Sequence, residues 1–203
     1  MSVDHFRYPS VHHYLETVGG LGAHPQAIAK GGVLAEALSQ RPLHPPPGSL
    51  GPELETLATN PPLLTGWVPE VHFNATMLAI YDEHFGAGGM SAYLDWVYDR
   101  NRRLFTAPAY KMLFLVVSPE RLLRGLGSRW ATFRKGSTVT ATTKGPKLVE
   151  VRIAHPRHLH PEQSLRAFAR AWKAGLECAG GKNVESALVH AEPTEARYSI
   201  HWT

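Results

Sequence analysis

Polar and apolar residues alternate with period two in four segments near the end of the chain: Ser137–Thr143, Leu148–Ile153, Val184–His190 and Ala196–Trp202. In an extended backbone this sets Val149, Val151 and Ile153 on one side and Glu150 and Arg152 on the other. Likewise Ala196, Tyr198, Ile200 and Trp202 stand opposite Arg197, Ser199 and His201. Between the two pairs lies Pro161–Ala179, where Leu165, Phe168, Trp172, Leu176 and Ala179 recur at helical spacing and Arg166, Arg170, Lys173 and Glu177 lie elsewhere around the helix. Lys144-Gly-Pro-Lys147 supplies a turn and Gly180-Gly181 a helix stop. The pattern predicts an antiparallel sheet in ββαββ order, one face buried and covered by the helix.

Helical spacing dominates the middle. Pro69–Phe85 reads as a helix opened by Pro69 and ended at Gly86-Ala-Gly-Gly89, with Val71, Met77, Leu78, Ile80 and Tyr81 as apolar surface. Ser91 is placed to cap Ala92–Phe105. Pro108–Val117 is a third apolar stretch, whose Leu113–Val117 suits a buried helical turn or a strand. Ser118-Pro-Glu120 signals a helix start and predicts a helix to about Phe133. Upstream, Ser10–Val18 suits a short helix capped by Ser10 and stopped by Gly19 and Gly20. Gly31 and Gly32 weaken a helix over Gln26–Gln40, and Arg41-Pro-Leu-His-Pro-Pro-Pro-Gly48 forms an extended connector. The expected class is α+β: N-terminal and central helices on a C-terminal antiparallel sheet. Residues 1–66 form a Gly/Pro-rich extension with short helices, and residues 67–203 form the main domain, folded with it as one unit.

Composition narrows the function classes. The chain has 203 residues, 43% hydrophobic and 19% charged, enough apolar content for a sizeable core. Its formal charge of +4 permits nucleic-acid contact, but the basic residues are scattered apart from Arg100, Arg102 and Arg103, so no clear nucleic-acid patch emerges. Those three arginines close a helix, where cations complement the dipole. The single cysteine, Cys178, excludes an internal disulfide and suits a reducing compartment. The most apolar run, Met112–Val117, is far shorter than the ~20 residues of a membrane span. A soluble cytoplasmic protein is expected.

Histidines carry the candidate metal chemistry. His155-Pro-Arg-His158-Leu-His160 sets three imidazoles close together, a weak candidate for a transition metal, in a loop bounded by Pro156 and Pro161. His72 and His84 share one helix, and a helix-borne imidazole is a usual haem ligand. Glu70, His72 and Asn74 do not form the His-Glu-x-x-His pattern of metallopeptidases. No Gly-x-Ser-x-Gly elbow, phosphate loop or dinucleotide fingerprint occurs, and Cys178 sits at a helix C-terminus, where the dipole disfavours a thiolate.

The segment from Trp130 through Gly136, the Lys144-Gly-Pro146 turn, the helix ending Cys178-Ala-Gly-Gly-Lys-Asn183 and the close Glu195-Ala-Arg-Tyr-Ser-Ile-His-Trp202 resemble myxobacterial paralogous families of unknown function. Those families are similar to the superfamily of haem–nitric-oxide-binding and vinyl-reductase-type small-molecule-binding domains, which also includes vesicle-tethering subunits. The resemblance implies a fold and a ligand-binding or interaction role. Haem–nitric-oxide domains carry Tyr-x-Ser-x-Arg downstream of a proximal histidine. The nearest match here is Tyr8-Pro-Ser-Val-His12, with His for Arg and near the other end of the chain, so no haem residue carries over. Cys178 alone does not reproduce the metal-binding cysteines of the vinyl-reductase type.

The expected function is therefore a non-catalytic sensory or regulatory domain binding a small apolar molecule or a protein partner. The expected pocket lies between the middle helices and the sheet, lined by His72, Phe73, Thr76, Ile80, Tyr98, Tyr198 and Trp202. Haem or a transition metal through the histidines is the alternative, and an interaction module or homodimer a third.

Overall fold

A computed structural model describes residues 3–86, 88–108, 111 and 118–203. The apolar stretch Pro108–Val117 and its run Met112–Val117 fall, apart from Pro108 and Lys111, outside the described residues. In chain order the elements are α1 (Pro9–Val18), β1 (Ile28–Lys30), α2 (Gly31–Gln40), α3 (Pro52–Thr59), β2 (Trp67–Pro69), α4 (Glu70–Phe85), α5 (Gly89–Thr106), α6 (Pro119–Arg124), α7 (Leu126–Phe133), β3 (Arg134–Lys135), β4 (Thr138–Gly145), β5 (Leu148–Ala154), α8 (Glu162–Cys178), β6 (Glu185–Glu192) and β7 (Glu195–His201). The class is α+β, as the periodicities predict, but with two antiparallel sheets where they predict one. Two compact units emerge: Met1–Tyr93 with Arg134–Gly136 and Arg157–Pro161, and Leu94–Phe133 with Ser137–Pro156 and Glu162–Thr203.

The first unit is built around α4. Its residues from Val71 to Ile80 are all buried except His72, so it is apolar nearly all round and α1, α2 and α3 pack against it. The N-terminus of α1 is capped from a distance. Pro9 occupies the first turn and Tyr8 the cap position, so Ser10 is not the expected cap. The Ser10 amide instead donates to Asp82 Oδ2 of α4 at 3.0 Å. Gly19, left-handed at φ 92°, ends α1 as expected. Pro69 proves to be the cap residue of α4 and the last residue of a strand, and Ser91 lies inside α5, which begins at Gly89.

Three short strands escaped the period-two reading because each has at most three residues. They form a sheet in the order β2-β1-β3. Ala29 faces Val68 and Arg134 in register, Lys30 faces Trp67, and Ile28 faces both Pro69 and Lys135. Ala29 and Val68 are buried. The glycines thought to weaken a helix begin one: α2 starts at Gly31, whose amide donates to Gly66 O at 2.9 Å.

In the second unit the larger sheet runs β4-β5-β7-β6, antiparallel throughout. Val149, Val151 and Ile153 face Ile200, Tyr198 and Ala196, so both strands put their apolar sets on one side. All six are buried, and α8 packs against β6 and β7. Ser118 caps α6 as expected, its Oγ accepting from the Arg121 amide. That helix does not continue to Phe133: it stops at Arg124, Gly125 is the cap, and α7 begins afresh. Among the described residues no helix is long and apolar enough to cross a membrane.

Candidate functional site

Alternation in β3 decides where the first unit holds its buried charge. Arg134 and Lys135 point to opposite faces of the small sheet. Arg134 turns inward and pairs with Glu70 Oε1, a carboxylate whose side chain is 1% exposed. Its guanidinium carbon also lies 4.8 Å from the centre of the Phe73 ring. His160 Nδ1 stands 3.8 Å from the same Glu70 oxygen. One turn on from Glu70, Asn74 donates from Nδ2 to Leu159 O at 2.9 Å and lies 3.5 Å from His160 Nδ1. Tyr14 of α1 donates to Leu159 O at 2.7 Å. Burial pushes its phenol far above the ordinary value of 10.0, against the opposing pull of Asn74 and Arg134. The interior of this unit thus holds a charge-compensated network. Glu70 Oε2 is buried without a hydrogen-bond partner among the described residues.

Sequence reasoning passed over Glu70 and Asn74 except as failed metallopeptidase residues, and did not single out Tyr14 or Arg134. One signal was available. Trp130-Ala-Thr-Phe-Arg134 has the spacing of Tyr-x-Ser-x-Arg, with Trp for Tyr and Thr for Ser, and keeps the Arg that Tyr8–His12 lacks.

The expected pocket residues divide between the units. His72, Phe73, Thr76 and Ile80 lie along α4 in the first. Phe73, Thr76 and Ile80 are buried, and the Thr76 hydroxyl donates to His72 O at 2.8 Å. The half-buried His72 has a pKa below the ordinary 6.5, chiefly from desolvation, with Glu53 and the Leu21 backbone pulling it back up. Tyr98, Tyr198 and Trp202 belong to the second unit. Tyr98 donates its hydroxyl to Glu177 Oε2. Tyr198 is fully buried and donates to Leu165 O at 2.9 Å, and Trp202 is buried.

Tyr198 belongs to an aromatic cluster. Trp172 lies 6.3 Å from it, edge-on, and 5.7 Å from Trp130, which meets Phe168 edge-on at 5.3 Å. Trp130 Nε1 donates to Ser137 Oγ at 3.1 Å. Trp172 Nε1 is buried and has no hydrogen-bond partner among the described residues.

The histidine loop does not assemble a metal centre. Among the described residues no three His, Cys, Asp or Glu side chains form a group able to hold a metal ion. His155 Nδ1 lies 2.9 Å from Pro156 O and His160 joins the Glu70 network, while His158 takes up a left-handed φ of 58°. His84, the other histidine of α4, is exposed with Nε2 2.9 Å from Pro42 O. Burial raises the Cys178 thiol above 9.0, with Arg102 opposing, so no ready thiolate exists there.

No family model matches the chain, and no curated protein matches it. Solved structures do. An H-NOX domain from a study of haem distortion superposes with a TM-score of 0.55 at 8% identity, over 85% of this chain and 92% of its own. An oxygen-binding H-NOX domain related to soluble guanylate cyclases, in its oxygen complex, gives 0.52 at 8%, over 86% and 95%. A mutant H-NOX protein from K. algicida, in the Fe(II) unliganded state, gives 0.51 at 12%, over 86% and 96%. The chain has the H-NOX fold.

Proposed function

We propose that this chain is a non-catalytic sensory domain that binds a small, largely apolar molecule on the H-NOX fold, acting in the reducing cytoplasm that its lone cysteine suits. The observation that carries the reading is the aromatic cluster of Trp130, Phe168, Trp172 and Tyr198 with one buried indole N–H unspent among the described residues. Buried polar groups find partners as a rule, and an apolar wall with a single donor is what fixes a small ligand's orientation. The ligand would present one acceptor atom to Trp172.

The similar structures include an H-NOX domain studied for haem distortion, which makes haem the second reading. A haem asks for an open imidazole nitrogen facing an apolar slot and for cations opposite its two carboxylates. Burial pushes the His72 pKa down, which favours the neutral form an axial ligand needs, but Glu53 and the Leu21 backbone oppose that shift. His84 is exposed, α5 and α8 contain no histidine, and Arg134 is already neutralised by Glu70. His72, His84 and Arg134 thus do not fit a haem.

Native mass spectrometry and an absorbance spectrum of the purified protein test both readings. A bound small molecule or a saturable apolar dye, weakened about tenfold or more in Trp172→Phe, is expected, with no Soret band. A protein that takes up no apolar compound overturns the first reading. A stoichiometric Soret band lost in His72→Ala establishes the second.

A further inference from the structure

The small sheet of the first unit has two unlike faces. Inward lie Ala29 and Val68, both buried, and Arg134 on Glu70. Outward lie Lys30, its register partner Trp67, and Lys135. The Lys30 and Lys135 ammonium nitrogens stand 4.7 and 4.6 Å from the centre of the Trp67 ring, so the half-buried indole carries two cations. Lys30 Nζ also donates to Thr65 O at 2.8 Å, which ties it to the loop Asn60-Pro-Pro-Leu-Leu-Thr-Gly66.

Two backbone hydrogen bonds shape that loop. Gly31 N donates to Gly66 O at 2.9 Å and Gly66 N to Leu63 O at 2.9 Å. A Cβ on Gly31 would lie 2.9 Å from Leu63 O, so the loop sits directly on the start of α2. The turn so fixed leaves Leu63 and Leu64 79% and 68% exposed. Two adjacent exposed leucines, three residues before an indole that carries two lysines, form an apolar patch with a basic border.

We propose that this face docks the protein peripherally on an anionic lipid surface. Leu63 and Leu64 enter the acyl boundary, Trp67 lies at headgroup depth, and Lys30 and Lys135 meet lipid phosphates. Indoles and lysines are the residues that favour that interface, and each basic residue near an anionic surface adds to binding. The chemistry favours lipid over a protein partner. Two exposed leucines with part of an indole fall well short of the ~800 Å² per partner of a standard protein interface. A small apolar patch and two cations give weak, reversible attachment. This inference stands apart from the ligand reading and does not depend on it.

Sedimentation of the full chain with vesicles of phosphatidylcholine, alone or mixed with phosphatidylglycerol, tests the proposal. Binding is expected to the mixed vesicles only and to fall as salt rises. Leu63→Ser with Leu64→Ser, and separately Lys30→Gln with Lys135→Gln, should each lower partitioning by about tenfold. Because Lys30 also holds Thr65 O, exposed Lys135→Gln alone should still lower partitioning, and an unchanged far-UV circular dichroism spectrum identifies the folded variants. Tryptophan emission should shift to the blue on binding, and this shift should shrink in Trp67→Phe. Absence of binding to the mixed vesicles, or binding indifferent to both pairs of substitutions, overturns the proposal. Self-association that the leucine pair abolishes, without vesicle binding, overturns it in favour of a second copy of the chain.

Discussion

Glu70 shows how much one side chain can hold in place. Its carboxylate answers Arg134 directly and His160 at 3.8 Å, with Asn74 and Tyr14 closing the network around Leu159 O. Replacing a buried ion pair as a whole is often neutral, but removing one partner strands the other in a medium that solvates it poorly. Glu70→Ala should therefore cost about 3–5 kcal/mol in urea unfolding, and Glu70→Ala with Arg134→Met should recover part of that loss. A merely additive double variant would show that the two are not coupled. In sequence Glu70 is a favourable first-turn acid of an apolar helix. Its cation lies 64 residues away, in a strand of two residues that no periodicity reveals. Ser10 makes the same point: it has the chemistry of a cap, but the acceptor at that helix start is Asp82 of another element.

Elements long enough to repeat their pattern were legible. β5, β7 and α8 each bury the side that their spacing assigns, because several residues vote for the same face. The small sheet was not, because its strands span two or three residues and exist only through their pairing. Gly136 anchors that pairing. It follows β3 with φ +80°, and a Cβ there would stand 2.6 Å from Ala27 Cα. Gly136→Ala should destabilise the protein by about 1–3 kcal/mol, with faster amide exchange at Ala29 and Arg134 than elsewhere. Unchanged protection there would show that the small sheet does not depend on this close approach. Gly125 had no such visible role in sequence, yet it divides one expected helix into α6 and α7.

For the whole molecule, the shifted groups predict a stability plateau between about pH 6.5 and 9. His72 is depressed below its ordinary 6.5, so the unfolded chain binds that proton first and stability falls as pH drops through the interval. Glu195, between Arg152 and Arg197, is held down to about 2; its contribution is present above 4.5 and lost as pH falls towards 2. Asp82, raised above 3.8 by burial, opposes this acid limb in part. On the alkaline side burial raises Cys178 above 9.0 and Tyr8 to about 12, so stability declines as the unfolded chain releases those protons first. Urea midpoints against pH check this, and His72→Gln should flatten the shoulder just below pH 6.5. A wild-type midpoint that rose on acidification from pH 6.5 would contradict the assignment. By itself the sequence determined the α+β class, the four long strands and the buried sides of β5 and β7, because hydrophobic periodicity is a local record of burial. Only the tertiary structure decided which charges lie inside, what caps α1, and how Lys30, Trp67 and Lys135 come to share one face. Those depend on register and on partners distant in sequence, which no local window contains.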